Sequence, residues 1–364
     1  MKKIMLVFGT RPEAIKMCPL VNELKRRGVL DTVVCVTGQH RGMLDQVLGV
    51  FRITPDYDLS IMKDRQTLFD VTSGVLSRIR EVLEQEKPDV VLVQGDTTSG
   101  FATALACFYL KIDVGHVEAG LRTYDVDAPY PEEFNRQAIG IIARYHFAPT
   151  AQSRDNLIRE GKKPERIFVT GNTGIDALRT TVSAEYSHPE LEWAKGSRLL
   201  ILTVHRRESI GEPMRSVFRA VRRAVEAYPD LKVIYPVHMN PLVRQIAAQT
   251  LGGNERIHII EPLNVIEFHN FLSRCDLILT DSGGIQEEAP SFGKPVLVAR
   301  DTTERPEGIA AGVLKLVGTD EQTVYEQIAR LLTDPAAYEQ MAHACNPYGD
   351  GHACECIADI LCGA

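Results

Sequence analysis

The sequence predicts an α/β protein of two doubly wound domains, each a parallel sheet covered on both faces, with a ligand cleft between them. Three observations predict it. Short Val/Ile/Leu runs alternate with amphipathic helical stretches, the signature of parallel strands buried on both faces. The alternation restarts midway, after Asn172. The 364-residue length suits about two domains.

The strand-like runs of the first half are 2–9, 32–38, 89–95, 113–120, 146–150 and 167–172. Helix-like segments fall between them at Ala14–Arg27, Leu68–Glu86 and Thr98–Leu110. The second series runs 198–205, 232–238, 257–262, 277–283 and 294–300. Between the series, TVSAEYSHPELEW loses the strand pattern and carries Pro189. The expected division is therefore 1–174, 175–345 and a closing segment 346–364. That segment opens with the break NPYGDG and continues as an apolar helical stretch expected to pack back on the first domain.

Hydrophobic residues make up 44%, which excludes intrinsic disorder. Lys and Arg total 41 against 48 Asp and Glu, a net charge of −7. That balance excludes a non-specific nucleic-acid binder, which needs a basic field. The eight Cys show no paired CxxC spacing, so a reducing compartment is expected. His352, Cys354 and Cys356 are spaced wrongly for a zinc site, and no metal is expected. The early run IMLVF is too short for a signal-peptide core, and no stretch is long enough to span a membrane. A cytoplasmic protein with no membrane or nucleic-acid partner is the expectation.

Polar residues concentrate where the strands end: GTRPE, QGDTT, VEAGLR, TVHRRES, PVHMN and TDSGG. Ligands of open α/β sheets bind at those ends. Turn chemistry explains the Gly, Asn and Asp, but not His116, Glu118, His205, Arg206, Arg207 and His238. GTRPEAIK follows the first strand where a dinucleotide fold would carry GxGxxG, so no nicotinamide cofactor is expected. Arg11 and Lys16 there suit an anion at a helix N-terminus, against the alternative of two solvated cations. Ser282, Gly283 and Gly284 open a helix whose free N–H groups suit a phosphate, and Glu288 could accept two ribose hydroxyls. The alternative is an ordinary capped helix.

Asp96, Glu118 and Glu132 are three acids near the expected anion. Their mutual repulsion is tolerable if they move protons; singly, each could be a helix cap or an ion-pair partner. His205, flanked by Arg206 and Arg207, is placed to face a leaving phosphate.

The strings FGTRPEAIKM, QHRGMLDQVL, GDTTS, GHVEAGLRT, YPEEFNR, GNTGIDAL, HRRES, YPVHMNP, TDSGGIQEEAPSFGKPVLV, RDTTERPEG and NPYGDG resemble the non-hydrolysing UDP-N-acetylglucosamine 2-epimerase family of bacteria. The resemblance runs in order from Met1 to about Cys356. It implies a glycosyltransferase-B-like pair of Rossmann-like domains, a homodimer, and interconversion of UDP-GlcNAc and UDP-ManNAc without a cofactor, supplying ManNAc for surface polysaccharide. It implies that Asp96 and Glu132 work at C2, that Glu118 supports them, and that His205 stabilises the departing phosphate. Arg11, Lys16, Ser282, Gly283, Gly284, Glu288 and Arg305 resemble ligands of UDP, with Leu263 and Phe268 beside the uracil. Gln39, Arg65, Glu132, Arg206 and His238 resemble a second, regulatory UDP-GlcNAc site that favours a closed cleft. Gly42 departs from the family there, standing where relatives often carry a longer polar side chain. Three alternatives stay open: a glycosyltransferase of the same fold, a hydrolysing epimerase that releases free ManNAc, and a catalytically idle UDP-sugar sensor.

Overall fold

The computed structural model describes residues 1–38, 41–63, 66–303 and 305–363. The chain divides into two compact units, Met1–Thr180 with Tyr348–Ala364 and Thr181–Pro347. The sequence-based division had set its boundaries at 174/175 and 345/346.

The first unit holds β1 (Lys3–Phe8), β2 (Asp31–Val36), β3 (Tyr57–Asp58), β4 (Val90–Gln94), β5 (Asp113–Val117), β6 (Tyr145–Ala148) and β7 (Ile167–Val169). They form one parallel sheet in the order β3-β2-β1-β4-β5-β6-β7. The second unit holds β8 (Arg198–Thr203), β9 (Leu231–Pro236), β10 (Ile257–Ile260), β11 (Leu277–Thr280), β12 (Val296–Val298) and β13 (Leu314–Leu316). Their order is β10-β9-β8-β11-β12-β13, again all parallel. The central strands are buried along nearly their whole length because helices cover both faces, which is why they read as aliphatic runs. In each sheet the winding reverses at one point, between β1 and β4 and between β8 and β11, and doubly wound sheets bind their ligands at the carboxyl ends of the strands at such a point.

Two strands escape the sequence reading. β3 has only two residues, and the three of β13 are interrupted by Lys315, so neither offers an unbroken apolar run like those of the equally short β7 and β12. The segment that loses the strand pattern holds the helix Pro189–Ala194, started by Pro189 itself, and the helix Thr173–Thr181 leads into it.

The helix Arg11–Arg27 shows how local chemistry sets the frame. Thr10 caps it and Glu13 closes the capping box, while Gly28 ends it in a left-handed turn at φ 66°. Against this helix packs the last one, Ala353–Gly363. The half-free N–H groups that begin it are taken by the buried Asp176 carboxylate, which accepts from Cys354 at 2.8 Å and Ala353 at 3.2 Å. Arg27 holds its far end through Asp359 at 2.5 Å. Among the described residues no helix is long and apolar enough to cross a membrane.

Candidate active site

In the first unit the carboxyl ends of β1, β4 and β5 converge on one hydrogen-bonded frame. Its centre is Glu13, almost fully buried. One carboxylate oxygen accepts from the N–H groups of Gly9 at 2.9 Å and Thr10 at 2.7 Å. The other accepts from the Thr97 hydroxyl at 2.7 Å. Thr97 in turn caps the helix Thr98–Leu110 through the Gly100 N–H at 2.9 Å. Glu13 therefore ties the loop after β1 to the loop after β4. Burial pushes its carboxyl above the ordinary value against the pull of these donors.

The three candidate acids hang on that frame. Asp96 does not cap the helix after it, since Thr97 does. Its carboxylate accepts from Arg136 Nη2 at 2.5 Å and keeps 28% of its side chain exposed. Asn135 donates to the Asp96 carbonyl at 2.9 Å. Arg136 and Asn135 lie on the helix Glu132–Ile142, so both bonds pin that helix, with Glu132 at its first position, to the Asp96 loop. Glu118 follows β5 at a left-handed φ of 66°, which swings it out of the strand line. It accepts from Gln94 Nε2 at 2.7 Å and from Lys16 Nζ. Lys16 is 12% exposed, so the reading of a freely solvated cation fails. Two residues on, Gly120 stands at φ 93°, and a Cβ there would lie 2.2 Å from the Ser153 carbonyl oxygen, so only glycine fits.

His116, on β5, is fully buried and bonds through Nε2 to the Gly95 carbonyl at 2.7 Å, steadying the residue before Asp96. His146 is its register partner on β6. Burial pushes His116 from 6.5 down to about 3 and His146 down to about 4. Both rings are neutral in the fold, while the unfolded chain protonates them near pH 6.5. Their contribution is complete above that pH and is lost as the pH falls toward 4 and 3, at up to about 1.4 kcal/mol per pH unit for each ring. Buried Glu13 and Asp176, pushed up by burial, act in the opposite direction. The comparison that isolates the ring is His116→Gln, whose amide can still reach Gly95. Between pH 7.5 and 5 the urea midpoint of the wild type is expected to fall more steeply than that of the variant. Parallel slopes would refute the assignment.

In the second unit the loop after β8 meets the loop after β11. Asp281, fully buried, accepts the backbone N–H groups of His205 at 2.8 Å and Arg206 at 2.7 Å. The His205 ring stacks on His238, at the end of β9, with centroids 5.2 Å apart and planes 6° from parallel. Ser282 stands at the N-cap of the short helix Gly283–Glu288, its hydroxyl not used for capping. A Cβ on Gly283 would lie 2.6 Å from an Arg305 guanidinium nitrogen, so the missing side chain admits that guanidinium. Arg305 is buried and held by Glu287 at 2.6 Å. The Glu288 carboxylate lies 3.3 Å from His269 Nε2, and His269 bonds the Thr181 hydroxyl at 2.7 Å. Leu263 and Phe268 pack half-buried on the apolar cluster beneath.

Gln39 and Arg65 lie outside the described residues. Among the described residues no group of three or more His, Cys, Asp or Glu is placed to hold a metal ion. His352 bonds Arg179 and Glu355, and Cys354 is buried. Sequence reading missed Glu13, Gln94, Arg136, Glu287 and Asp281. The capping-box spacing T-x-x-E could have flagged Glu13; the others carry no local signal.

A family model for UDP-N-acetylglucosamine 2-epimerase matches residues 22–362. The UDP-N-acetylglucosamine 2-epimerase of Bacillus subtilis is 59% identical over 359 residues, covering 99% of this chain and 94% of the relative. The crystal structure of the UDP-GlcNAc 2-epimerase of Neisseria meningitidis bound to UDP-GlcNAc is 46% identical, covers each chain completely and superposes with a TM-score of 0.92. A kitacinnamycin glycotransferase, 12% identical with a TM-score of 0.65 over 99% of this chain and 98% of its own, shares the fold alone.

Proposed function

Since the chain belongs to the UDP-N-acetylglucosamine 2-epimerase family, we propose that it interconverts UDP-GlcNAc and UDP-ManNAc by the non-hydrolysing route, EC 5.1.3.14. The observation that carries the reading is the gathering of Asp96, Glu118 and Glu132 on one braced frame. Gln94 links β4 to Glu118, and Arg136 links the Glu132 helix to Asp96.

The C2 hydrogen of the sugar is not acidic, because its neighbours are an acetamido group and an acetal carbon. Breaking the C1–O bond first makes it so. UDP departs with the bonding pair, positive charge builds at C1, and a carboxylate removes the C2 proton to leave 2-acetamidoglucal. A second acid returns a proton to the opposite face, and UDP adds back. Asp96 and Glu132 are the pair at C2, and Glu118, held by Lys16 and Gln94, supports the transfers. His205 meets the departing phosphate. Arg11, Lys16, Ser282, Gly283, Gly284, Glu288 and Arg305 hold UDP, with Leu263 and Phe268 beside the base. No cofactor takes part.

A proton NMR time course with UDP-GlcNAc alone tests the reaction. UDP-ManNAc is the expected product. Free ManNAc would indicate the hydrolysing reaction, and an unchanged spectrum would indicate a transferase lacking its acceptor or an idle sensor.

We assign the enzyme to the cytoplasm, where its nucleotide-sugar substrate is made, and to the supply of ManNAc units for surface polysaccharide. It acts as a homodimer. The apolar face formed by Phe108, Tyr109, Phe134 and Ile141, on two helices packed side by side, supports a second copy as partner. Regulation by a second UDP-GlcNAc rests on Gln39, Arg65, Glu132, Arg206 and His238, whose cations suit a diphosphate. Gly42 removes one hydrogen bond, worth about 0.5–1.5 kcal/mol, so activation is expected at raised substrate concentration. Starting from UDP-ManNAc, progress should lag, and trace UDP-GlcNAc should abolish the lag. Linear progress unaffected by the additive and by Arg206→Ala would remove the regulatory site.

A further inference from the structure

We propose that Asp281 is a positioning residue for His205, holding Nδ1–H of the imidazole so that Nε2–H serves as the acid toward the leaving phosphate. The inference rests on the elimination reading above.

The Asp281 carboxylate is half used. Oδ2 accepts two backbone N–H groups, from His205 and Arg206. Oδ1 is shut off from solvent and has no hydrogen-bond partner. A buried carboxylate oxygen without a donor is costly, so the fold gains whenever one arrives. The surroundings leave few candidates. The Tyr235 hydroxyl is spent on the Val204 carbonyl at 2.6 Å. The Ser282 N–H goes to the Thr280 hydroxyl at 3.0 Å, and the Asp281 N–H goes to the Thr203 carbonyl at 3.2 Å. His238 Nδ1 accepts the Asn240 N–H at 3.1 Å, so its proton sits on the other nitrogen. His205 Nδ1 lies 3.8 Å from Oδ1, about 0.6 Å beyond the usual hydrogen-bonding range. A small turn of a ring that is still 35% exposed closes the gap.

The groups facing His205 define its chemistry. Burial foremost, then His238 and Arg206, hold its imidazole below the ordinary value, and Asp281 opposes them. When Nδ1–H meets Oδ1 and the anionic diphosphate stands at Nε2, both contacts favour the imidazolium. As the C1–O bond breaks, its electron pair goes to the phosphate oxygen and the Nε2 proton follows. The C2 proton goes to the carboxylate, and the C1=C2 bond forms. On re-addition the phosphate oxygen returns its proton to Nε2 as the C1–O bond re-forms, and the second acid protonates the opposite face of C2. The two carboxylates therefore end with their protonation exchanged until proton exchange with water resets them.

The test uses the full chain with 15N-labelled histidine and saturating UDP as probe, the His205 signals being assigned with His205→Gln. Nδ1 of His205 is expected to be protonated, and Asp281→Asn should lower the ring's midpoint by about one pH unit or more. Asp281→Asn should cut kcat by about 10- to 100-fold with little change in KM, and should cost nothing further in the His205→Gln background. A bare Nδ1, an unmoved midpoint, or losses that simply add would overturn the proposal. If Asp281→Asn does not fold, the wild-type spectrum with UDP decides alone. The spectrum needs no turnover. A wild type without epimerase activity would therefore sink the reaction assignment, and a working wild type with a bare Nδ1 would sink this proposal.

Discussion

Asp96→Asn is expected to lower turnover at least about 10²-fold, or roughly 2.7 kcal/mol on the barrier, while UDP affinity and thermal stability change little. The geometry separates the two effects. The Asn135 bond goes to the carbonyl of residue 96 and survives the change. The helix after it is capped by Thr97, so its start is untouched. The Asn amide oxygen can still accept from Arg136, which also keeps Glu133 at 3.4 Å. What disappears is a group able to take and return a proton. Steady-state kinetics with UDP calorimetry and a melting curve check it. Near-normal turnover would mean that Asp96 only anchors the Glu132 helix, and the proton-transfer assignment would fall.

The fold was legible where one element carries its own signal. Each long strand is buried on both faces, so aliphatic runs mark it, and polar punctuation marks its carboxyl end. The helices Leu68–Glu86 and Thr98–Leu110 begin after threonines that cap them, and the sequence reading placed both at their observed limits. β3 and β13 were invisible because the first is the polar pair Tyr57–Asp58 and the second is broken by Lys315, whereas the three-residue β7 and β12 are unbroken apolar runs. The candidate site was legible in part for the same reason. Asp96, Glu118 and His205 stand at strand ends, where a charged residue is conspicuous. Arg136 and Asp281 were not, because their roles depend on partners 40 and 76 positions away in the chain. Gln94 looked like the last residue of an apolar strand, yet its amide holds Glu118. Lys16 read as an anion ligand, and the fold pairs it with Glu118, a contact that sequence spacing does not reveal.

Solvent deuterium provides the other large effect, because it is all or none. If the sugar leaves UDP and loses its C2 proton to a carboxylate, the proton that returns has exchanged with water on the enzyme. The frame favours this. Asp96 is partly open to solvent and Glu132 is half-buried, so a captured proton can be lost before re-addition. A transient oxidation would instead carry the hydrogen as hydride and return the same atom, and the loop after β1 lacks the glycine pattern for a nicotinamide cofactor. The decisive measurement is turnover of UDP-GlcNAc in D2O, followed by proton NMR and mass spectrometry until the two epimers reach equilibrium. Deuterium at C2 of both UDP-GlcNAc and UDP-ManNAc, one atom per molecule, is the expected result. UDP-ManNAc formed with its original C2 hydrogen would contradict the elimination mechanism and the roles given to Asp96, Glu118 and Glu132.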